Sequence, residues 1–212
     1  MLFKTTKQLF KNTYQYKIVL VCGSAGVFRT GDMDNTLELL NKIDVSKPKI
    51  TGAYNRYATN IKTQDELDYA LGLQLQLTRM TAYELRVEQP WITIYSNNKQ
   101  DIDTLANLDQ SKVKYVCVPP ANVVLQEGTV IMPKMPFEYR VTLGKTTQNH
   151  STFVEWAEKN KKLRLTKSSI KELNKSRSWG GTHFYVTGDN NILMVKMHLG
   201  GSINKIDRIL KA

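Results

Sequence analysis

The chain has 212 residues, of which 41% are hydrophobic and 23% charged, proportions that are typical of a folded globular protein and exclude a disordered one. Its 30 lysines and arginines against 19 acids give a formal net charge of +11, which favours polyanionic or acidic partners. No apolar run approaches the roughly 20 residues of a membrane span, and Met1–Lys7 lacks the apolar stretch of a signal peptide, so the sequence predicts a soluble intracellular protein without a membrane partner.

The first 133 residues alternate strand and helix signals. Asp32 or Asp34 can cap a helix, and Thr63 with Glu66 forms a capping box at the start of another. The predicted elements are a strand Lys17–Cys22, a turn Gly23–Gly26, a helix to about Ile43, a polar loop Ile50–Asn60, a helix from Thr63 to about Met80, strand-like Tyr83–Tyr95 with Pro90 at a bulge or edge, a helix Gln100–Leu108, and strands Lys114–Pro119 and Thr129–Pro133.

The remaining residues show the same mixture. Ser151 or Thr152 with Glu155, and Ser169 with Glu172, have the spacing of helix caps, and Gly188–Asn191 is a turn signal. The predicted elements are a strand Tyr139–Leu143, a helix Phe153–Lys161, a helix from Ser169 to about Lys175, a hairpin of His183–Thr187 and Ile192–Leu199, and a closing helix Ile203–Leu210.

This order of elements predicts an α+β fold, with a mixed or antiparallel sheet and helices packed on one face. Two small ferredoxin-like units are one arrangement, with an N-terminal region 1–133 and a basic C-terminal region 134–212. A single continuous domain is the alternative.

The strongest functional signal is a run of cations, called here the basic segment, Lys159–Arg177. It holds eight cations and one acid, Glu172, a net charge of +7. Clustered cations of this kind predict a polyanion-binding surface. The candidate nucleic-acid-binding residues are Lys159, Lys161, Lys162, Arg164, Lys167, Lys171, Lys175 and Arg177, with Trp179 beside them.

Lys167, Lys171 and Lys175 are four residues apart, so a helix would display them as one stripe, with Ile170 and Leu173 facing the core. Such a stripe can neutralise several phosphates. Two alternatives stay open, contact with an acidic protein and a solvated surface that maintains solubility.

Trp179 follows Arg177 and Ser178 and is able to stack on a base. The sequence favours a different interpretation, in which the indole is half-buried and anchors the segment, because a strand begins at once after Gly180-Gly181. Tyr54, Arg56 and Tyr57 form a second basic and aromatic cluster with the same two interpretations.

Catalytic signals are weaker. Leu143–Thr147 resembles the end of a nucleotide-binding loop, yet Tyr139 occupies the position at which that loop requires glycine. His150 can cap a helix. His183 and His198 lie at the far ends of the predicted hairpin, where they could face each other and form a metal nuclease site with Asp189 or Glu172.

The two cysteines, Cys22 and Cys117, each lie inside an apolar run, which predicts reduced core thiols rather than a disulfide. No cysteine and histidine set has the spacing of metal ligands, so the sequence predicts no cofactor.

Three stretches of the C-terminal third, Thr142–Ser151, Ser176–Val186 and His198–Ile206, resemble segments of proteins without assigned activity from large tailed bacteriophages. The resemblance implies a virus-encoded protein that acts in the host cytoplasm or the virion. It assigns no catalytic residue.

Together these signals predict a non-enzymatic protein that binds DNA or RNA through a basic face, with weak sequence preference. The alternatives are a virion or assembly protein that contacts acidic phage proteins or packaged DNA, and a metal-dependent nuclease.

Overall fold

A computed structural model of the chain describes residues 2–46, 61–88 and 90–211. Within these residues the chain forms six α-helices and ten strands and divides into two compact units, Met1–Val124 and Leu125–Ala212. Each unit contains one five-stranded mixed sheet, so the predicted α+β class is confirmed. The cluster of Tyr54, Arg56 and Tyr57 lies outside the described residues.

The sheet of the N-terminal unit has the strand order β1-β5-β2-β4-β3, in which β1 and β5 are parallel and the other pairs antiparallel. Pro90 lies in the turn between two paired strands, so the strand-like run Tyr83–Tyr95 is a hairpin. The elements are β1 Phe3–Thr5, β2 Tyr16–Val21, α1 Met33–Asn41, α2 Gln64–Arg79, β3 Tyr83–Glu88, β4 Trp91–Ser96, α3 Lys99–Leu108 and β5 Val113–Val118.

The helices of this unit begin where the sequence places their caps. The Asp32 carboxylate accepts from the backbone N–H groups of Asp34 and Asn35, and the Thr63 hydroxyl accepts from Glu66. All three helices pack on one sheet face, where Ile18 and Leu20 of β2 enter the core. The opposite face of the same strand therefore carries Lys17, Val19 and Val21. Both cysteines are buried free thiols, as predicted.

The sheet of the C-terminal unit has the order β6-β10-β7-β9-β8. Because β6 pairs with β10, the residues from Leu125 onward belong to this unit, whereas the sequence places the boundary near Pro133. The elements are β6 Thr129–Ile131, β7 Tyr139–Leu143, α4 Ser151–Lys159, β8 Leu163–Arg164, α5 Lys167–Leu173, β9 His183–Val186, α6 Asp189–Leu199 and β10 Ile203–Leu210.

The predicted strand Ile192–Leu199 is wrong, because these residues belong to helix α6. Gly188, at φ +84°, is the N-cap residue of α6, so the chain enters a helix after β9 where the sequence predicts a hairpin turn. The buried residues Ile192, Val195 and Leu199 recur at helical spacing. Leu193, Met194 and Met197 are also apolar but exposed, and they hide that period in the sequence.

The predicted helix Ile203–Leu210 is also wrong, because these residues form strand β10 between β6 and β7. Ile203 pairs with Leu143 and Ile206 with Val141, so a bulge between Ile203 and Lys205 brings two residues three apart onto the core face. A spacing of three in an isolated sequence indicates a helix, and the bulge is what produces it here.

The three helices of this unit cover one face of its sheet. On the other face Asp207 of β10 is fully buried, and its carboxylate accepts from Arg140 at 2.7 Å and pairs with Lys205 at 3.0 Å. A buried carboxylate requires such partners to offset its lost hydration.

Candidate nucleic-acid interface

All eight cations of the basic segment are exposed, but they lie on several elements. Lys159 ends α4, and Lys161 and Lys162 occupy the turn that follows. The Asn160 side chain accepts from the Lys162 N–H at 3.0 Å, and the Lys162 carbonyl accepts from Thr187 at 2.9 Å. The turn backbone is therefore fixed while its lysine side chains extend into solvent.

Arg164 lies on β8, the edge strand of the sheet. Its neighbour Leu163 is in the core, so Arg164 extends from the face opposite the helices. There it pairs with Tyr185, whose other neighbour in the sheet is Arg140. The structure thus places Arg164 with Arg140, a residue that the sequence does not single out, and apart from the lysines of α5.

Helix α5 begins earlier than predicted. The cap is Thr166, whose hydroxyl accepts from the Ser169 N–H, while the Ser169 hydroxyl accepts from the Thr166 N–H. Ser169 is therefore the third helical residue and not the cap. Lys167 and Lys171 are exposed one turn apart on this helix, as the predicted stripe requires.

The third lysine of the predicted stripe does not belong to it, because α5 ends at Leu173 and Lys175 lies beyond. The Lys175 ammonium instead donates to Glu172 at 2.5 Å. Hydrogen bonds from Lys175 and from the Ser178 hydroxyl lower the pKa of the Glu172 carboxyl. Glu172 therefore stays ionised at neutral pH and neutralises Lys175.

The expectation that Trp179 is half-buried is wrong, since 86% of this residue is exposed. Its backbone is nevertheless held on both sides. Ser178 and Thr146 exchange two backbone hydrogen bonds of 3.0 Å, and the Gly181 N–H donates to the Leu143 carbonyl at 2.8 Å. The indole is thus presented to solvent from a fixed support.

The two glycines after Trp179 have different roles. Both have positive φ, +77° at Gly180 and +84° at Gly181. A Cβ added to Gly180 would lie 2.5 Å from the carbonyl carbon and oxygen of Gly144, whereas one added to Gly181 would meet nothing within 4 Å. Gly180 therefore permits the close backbone approach that holds Trp179.

Lys145 lies beside Trp179, although the sequence does not single it out as a binding residue. Its Nζ lies 5.1 Å from the centroid of the Trp179 ring, within the range of a cation–π contact. Its position after β7 and before α4 is that of a phosphate-binding loop, which was the signal in the sequence. A cleft of about 380 Å³ adjoins Lys145 and is lined by residues 145–148 and 197–202.

His150 precedes α4 but makes no side-chain cap, contrary to expectation. Its ring is buried, and Nε2 lies 3.2 Å from the Thr146 hydroxyl and 3.0 Å from the Ser202 hydroxyl. Burial lowers the pKa of His150, so the imidazole is neutral at pH 7. Through these contacts His150 connects Thr146 and Ser202, two residues that line the cleft.

The other two histidines do not face each other. His183 lies 3.1 Å from the Tyr185 hydroxyl, while His198 stacks on Trp156 with ring centroids 5.1 Å apart. Asp189 accepts from the Tyr139 hydroxyl. Across residues 2–46, 61–88 and 90–211, no group of three or more histidine, cysteine, aspartate or glutamate side chains is placed to hold a metal ion.

In the part of the chain that the structure describes, no helix combines the length and apolar character needed to cross a membrane. Comparison with protein-family models, with curated proteins and with solved structures gives no match to this chain.

Proposed function

We propose that the protein is a non-enzymatic, phage-encoded protein that binds nucleic acid through the basic segment and Trp179. The observation that carries the proposal is an exposed indole on a fixed backbone, with the Lys145 Nζ 5.1 Å from its ring centroid. Among the described residues, no carboxylate forms an ion pair with any of the eight cations other than Lys175.

Each exposed cation can neutralise a phosphate and release counterions, which gives affinity without reading the sequence. The indole adds a surface on which any base can stack. Both contacts tolerate different bases, so the proposal includes weak sequence preference and leaves DNA and RNA as equal candidates.

The phage origin is supported by the resemblance in the C-terminal third of the sequence. In that setting the protein would act in the host cytoplasm during replication or transcription, or in the particle during DNA packaging. Other phage proteins would then be its protein partners.

The test is a triple charge reversal, Lys167→Glu, Lys171→Glu and Lys175→Glu, assayed by fluorescence anisotropy with labelled DNA and RNA at about 50 mM salt. The wild type is expected to bind, and the variant to bind much more weakly because the charge of the basic segment falls by six. Absence of wild-type binding at low salt would refute the proposal.

A matched control reverses the charge of three dispersed exposed lysines, Lys42, Lys62 and Lys134, and so has the same net charge as the test variant. Its affinity is expected to remain near that of the wild type. Equal losses in the two variants would show that overall charge, and not the basic segment, determines binding. Incubation of the complex with Mg²⁺ or Mn²⁺ is expected to leave the nucleic acid uncut.

Assembly through protein contacts is the second candidate, favoured by Leu193 and Met197 of α6. These side chains lie one turn apart and are 59% and 72% exposed. Contiguous exposed apolar surface can mark a site of protein interaction. The double variant Leu193→Ser and Met197→Ser tests this candidate. If the protein acts in assembly, the variant is expected to lose its association with phage proteins. If the protein acts by binding nucleic acid, the affinity of the variant for nucleic acid is expected to stay unchanged.

A further inference from the structure

The sheet of the N-terminal unit has one face turned away from its helices. On that face Lys17 of β2 pairs with Tyr95 and Cys117, Val19 pairs with Tyr115, and Val21 pairs with Trp91. The alternate residues of β2 enter the core. We call this surface the aromatic face, and define it by Phe10, Tyr14, Trp91, Tyr95, Tyr115, Lys4, Lys17 and Lys114.

Aromatic rings are concentrated here. Phe10 and Tyr14 pack on Tyr95, with ring centroids 5.7 and 6.2 Å apart, and bury it. Trp91 is 39% exposed, and Tyr115 is partly exposed. A row of rings on a sheet with solvent access is the kind of surface on which unpaired bases stack.

Lysines lie directly over these rings. The Lys4 Nζ is 4.0 Å and the Lys17 Nζ 5.1 Å from the centroid of Tyr115, and the Lys114 Nζ is 3.4 Å from that of Trp91. In the described part of the chain, none of these three lysines forms an ion pair with a carboxylate. Positive charge and stacking surface therefore coincide.

The position of Lys114 results from a bulge. Val19 pairs with Tyr115 but Leu20 pairs with Val113, so Lys114 is the extra residue of β5. In a regular strand Lys114 and Tyr115 would point to opposite faces. The bulge turns Lys114 toward Trp91, so Lys114 and Tyr115 lie on the same face of the sheet.

The charge is not spread evenly over the sheet. On the edge strand β3, Glu84 pairs with Lys11 and Arg86 pairs with Glu88, which leaves that edge neutral. The lysines without carboxylate partners lie toward β1 and β5, and this side complements a polyanion.

We propose that the aromatic face binds single-stranded nucleic acid, with bases stacked on Trp91 and Tyr115 and phosphates held by Lys4, Lys17 and Lys114. An exposed cation–π contact is weaker than a stacked base, so a base displaces the ammonium group, and the flexible lysine then reaches a phosphate. A duplex keeps its bases stacked inside and cannot make these contacts. The site goes beyond the function proposed for the basic segment, and it lies in the other unit.

The test compares the full-length wild type, Trp91→Ala and Trp91→Phe in anisotropy titrations with labelled oligothymidine and with a duplex, at about 50 mM salt. Trp91→Ala is expected to weaken single-strand binding roughly 5- to 150-fold, the loss of one stacked base, and to leave duplex binding within about twofold. Trp91→Phe keeps an aromatic ring, so its single-strand affinity is expected to lie between those of the wild type and Trp91→Ala. An unchanged single-strand affinity in Trp91→Ala, or equal losses for both probes, would overturn the proposal.

A second variant, Lys114→Glu, changes an exposed side chain and is expected to weaken single-strand binding as well. Circular dichroism is to be used to check that each variant is folded. All comparisons are repeated in a chain that carries the charge reversals at Lys167, Lys171 and Lys175. There the effect of Trp91→Ala is expected to persist, so failure of the basic segment to bind leaves this test intact. If Trp91→Ala no longer weakens single-strand binding in that background, the proposal of an independent site is refuted.

Discussion

Replacing Lys167 and Lys171 together with glutamine is expected to reduce the salt dependence of duplex binding. Both side chains are exposed one turn apart on α5, and neither forms an ion pair with a carboxylate among the described residues. Each can therefore neutralise a phosphate, and it then displaces the counterion that is condensed on the DNA at that phosphate.

The magnitude follows from the two phosphates that the variant no longer neutralises. Each phosphate neutralised on duplex DNA contributes about 0.9 to the slope of log affinity against log salt, so the double variant should have a slope shallower by about 1.8. Between about 50 and about 200 mM salt, the wild type should then lose roughly 12 times more affinity than the variant does.

A matched control changes two neighbouring residues without changing the charge. Glu172 and Lys175 already neutralise each other at 2.5 Å, so Glu172→Gln with Lys175→Gln removes a pair of zero net charge. Its slope is expected to stay close to that of the wild type.

The assay is an anisotropy titration of labelled duplex at several salt concentrations for the three proteins. A slope of the lysine double variant within about 0.5 of the wild type would refute the assignment of these lysines to phosphate contacts. An equal change in the control pair would show that Lys175 leaves Glu172 to neutralise a phosphate, which contradicts the pairing described above.

Three further predictions concern stability. In urea denaturation, Gly180→Ala should lower the free energy of unfolding by about 1–3 kcal/mol more than Gly181→Ala does. Both glycines have positive φ, but only the Cβ added at Gly180 would lie 2.5 Å from the backbone of Gly144. Equal effects of the two substitutions would contradict the packing described for Gly180. Asp207→Ala breaks the buried ion pair with Arg140, at a cost of about 3–5 kcal/mol, and should lower the melting temperature by more than about 10 °C; a shift of only about a degree would refute it. Burial lowers the pKa of His150, so the unfolded chain binds a proton more readily, and stability should fall as the pH drops below about 6.5; His150→Gln should flatten this dependence, measured by denaturation between about pH 7 and pH 5.

Much of the fold follows from local signals. Caps at Asp32 and Thr63 start helices where the sequence places them. The two errors of element type come from features that local spacing does not reveal. The bulge at Ile203 gives strand β10 a helical spacing, and the exposed Leu193 and Met197 mask the period of α6.

The composition predicts the basic segment, but it does not predict where its side chains lie in the structure. Exposure of the segment follows from its charge. That Lys175 lies beyond α5 depends on the cap at Thr166, and that Trp179 is exposed depends on the contact of Gly180 with Gly144. The approach of Lys145 to Trp179 joins residues far apart in the chain, and no local pattern predicts it.

The edge strand β8 has a consequence for association between copies of the protein. Unpaired backbone groups at a sheet edge can recruit a strand from another molecule, and this is a common route to aggregation. Here the edge ends after two residues, and Lys161, Lys162 and Arg164 flank or occupy it. A second copy that approached this edge in register would bring like charges together, so the cations proposed to bind nucleic acid also disfavour strand pairing between copies at β8.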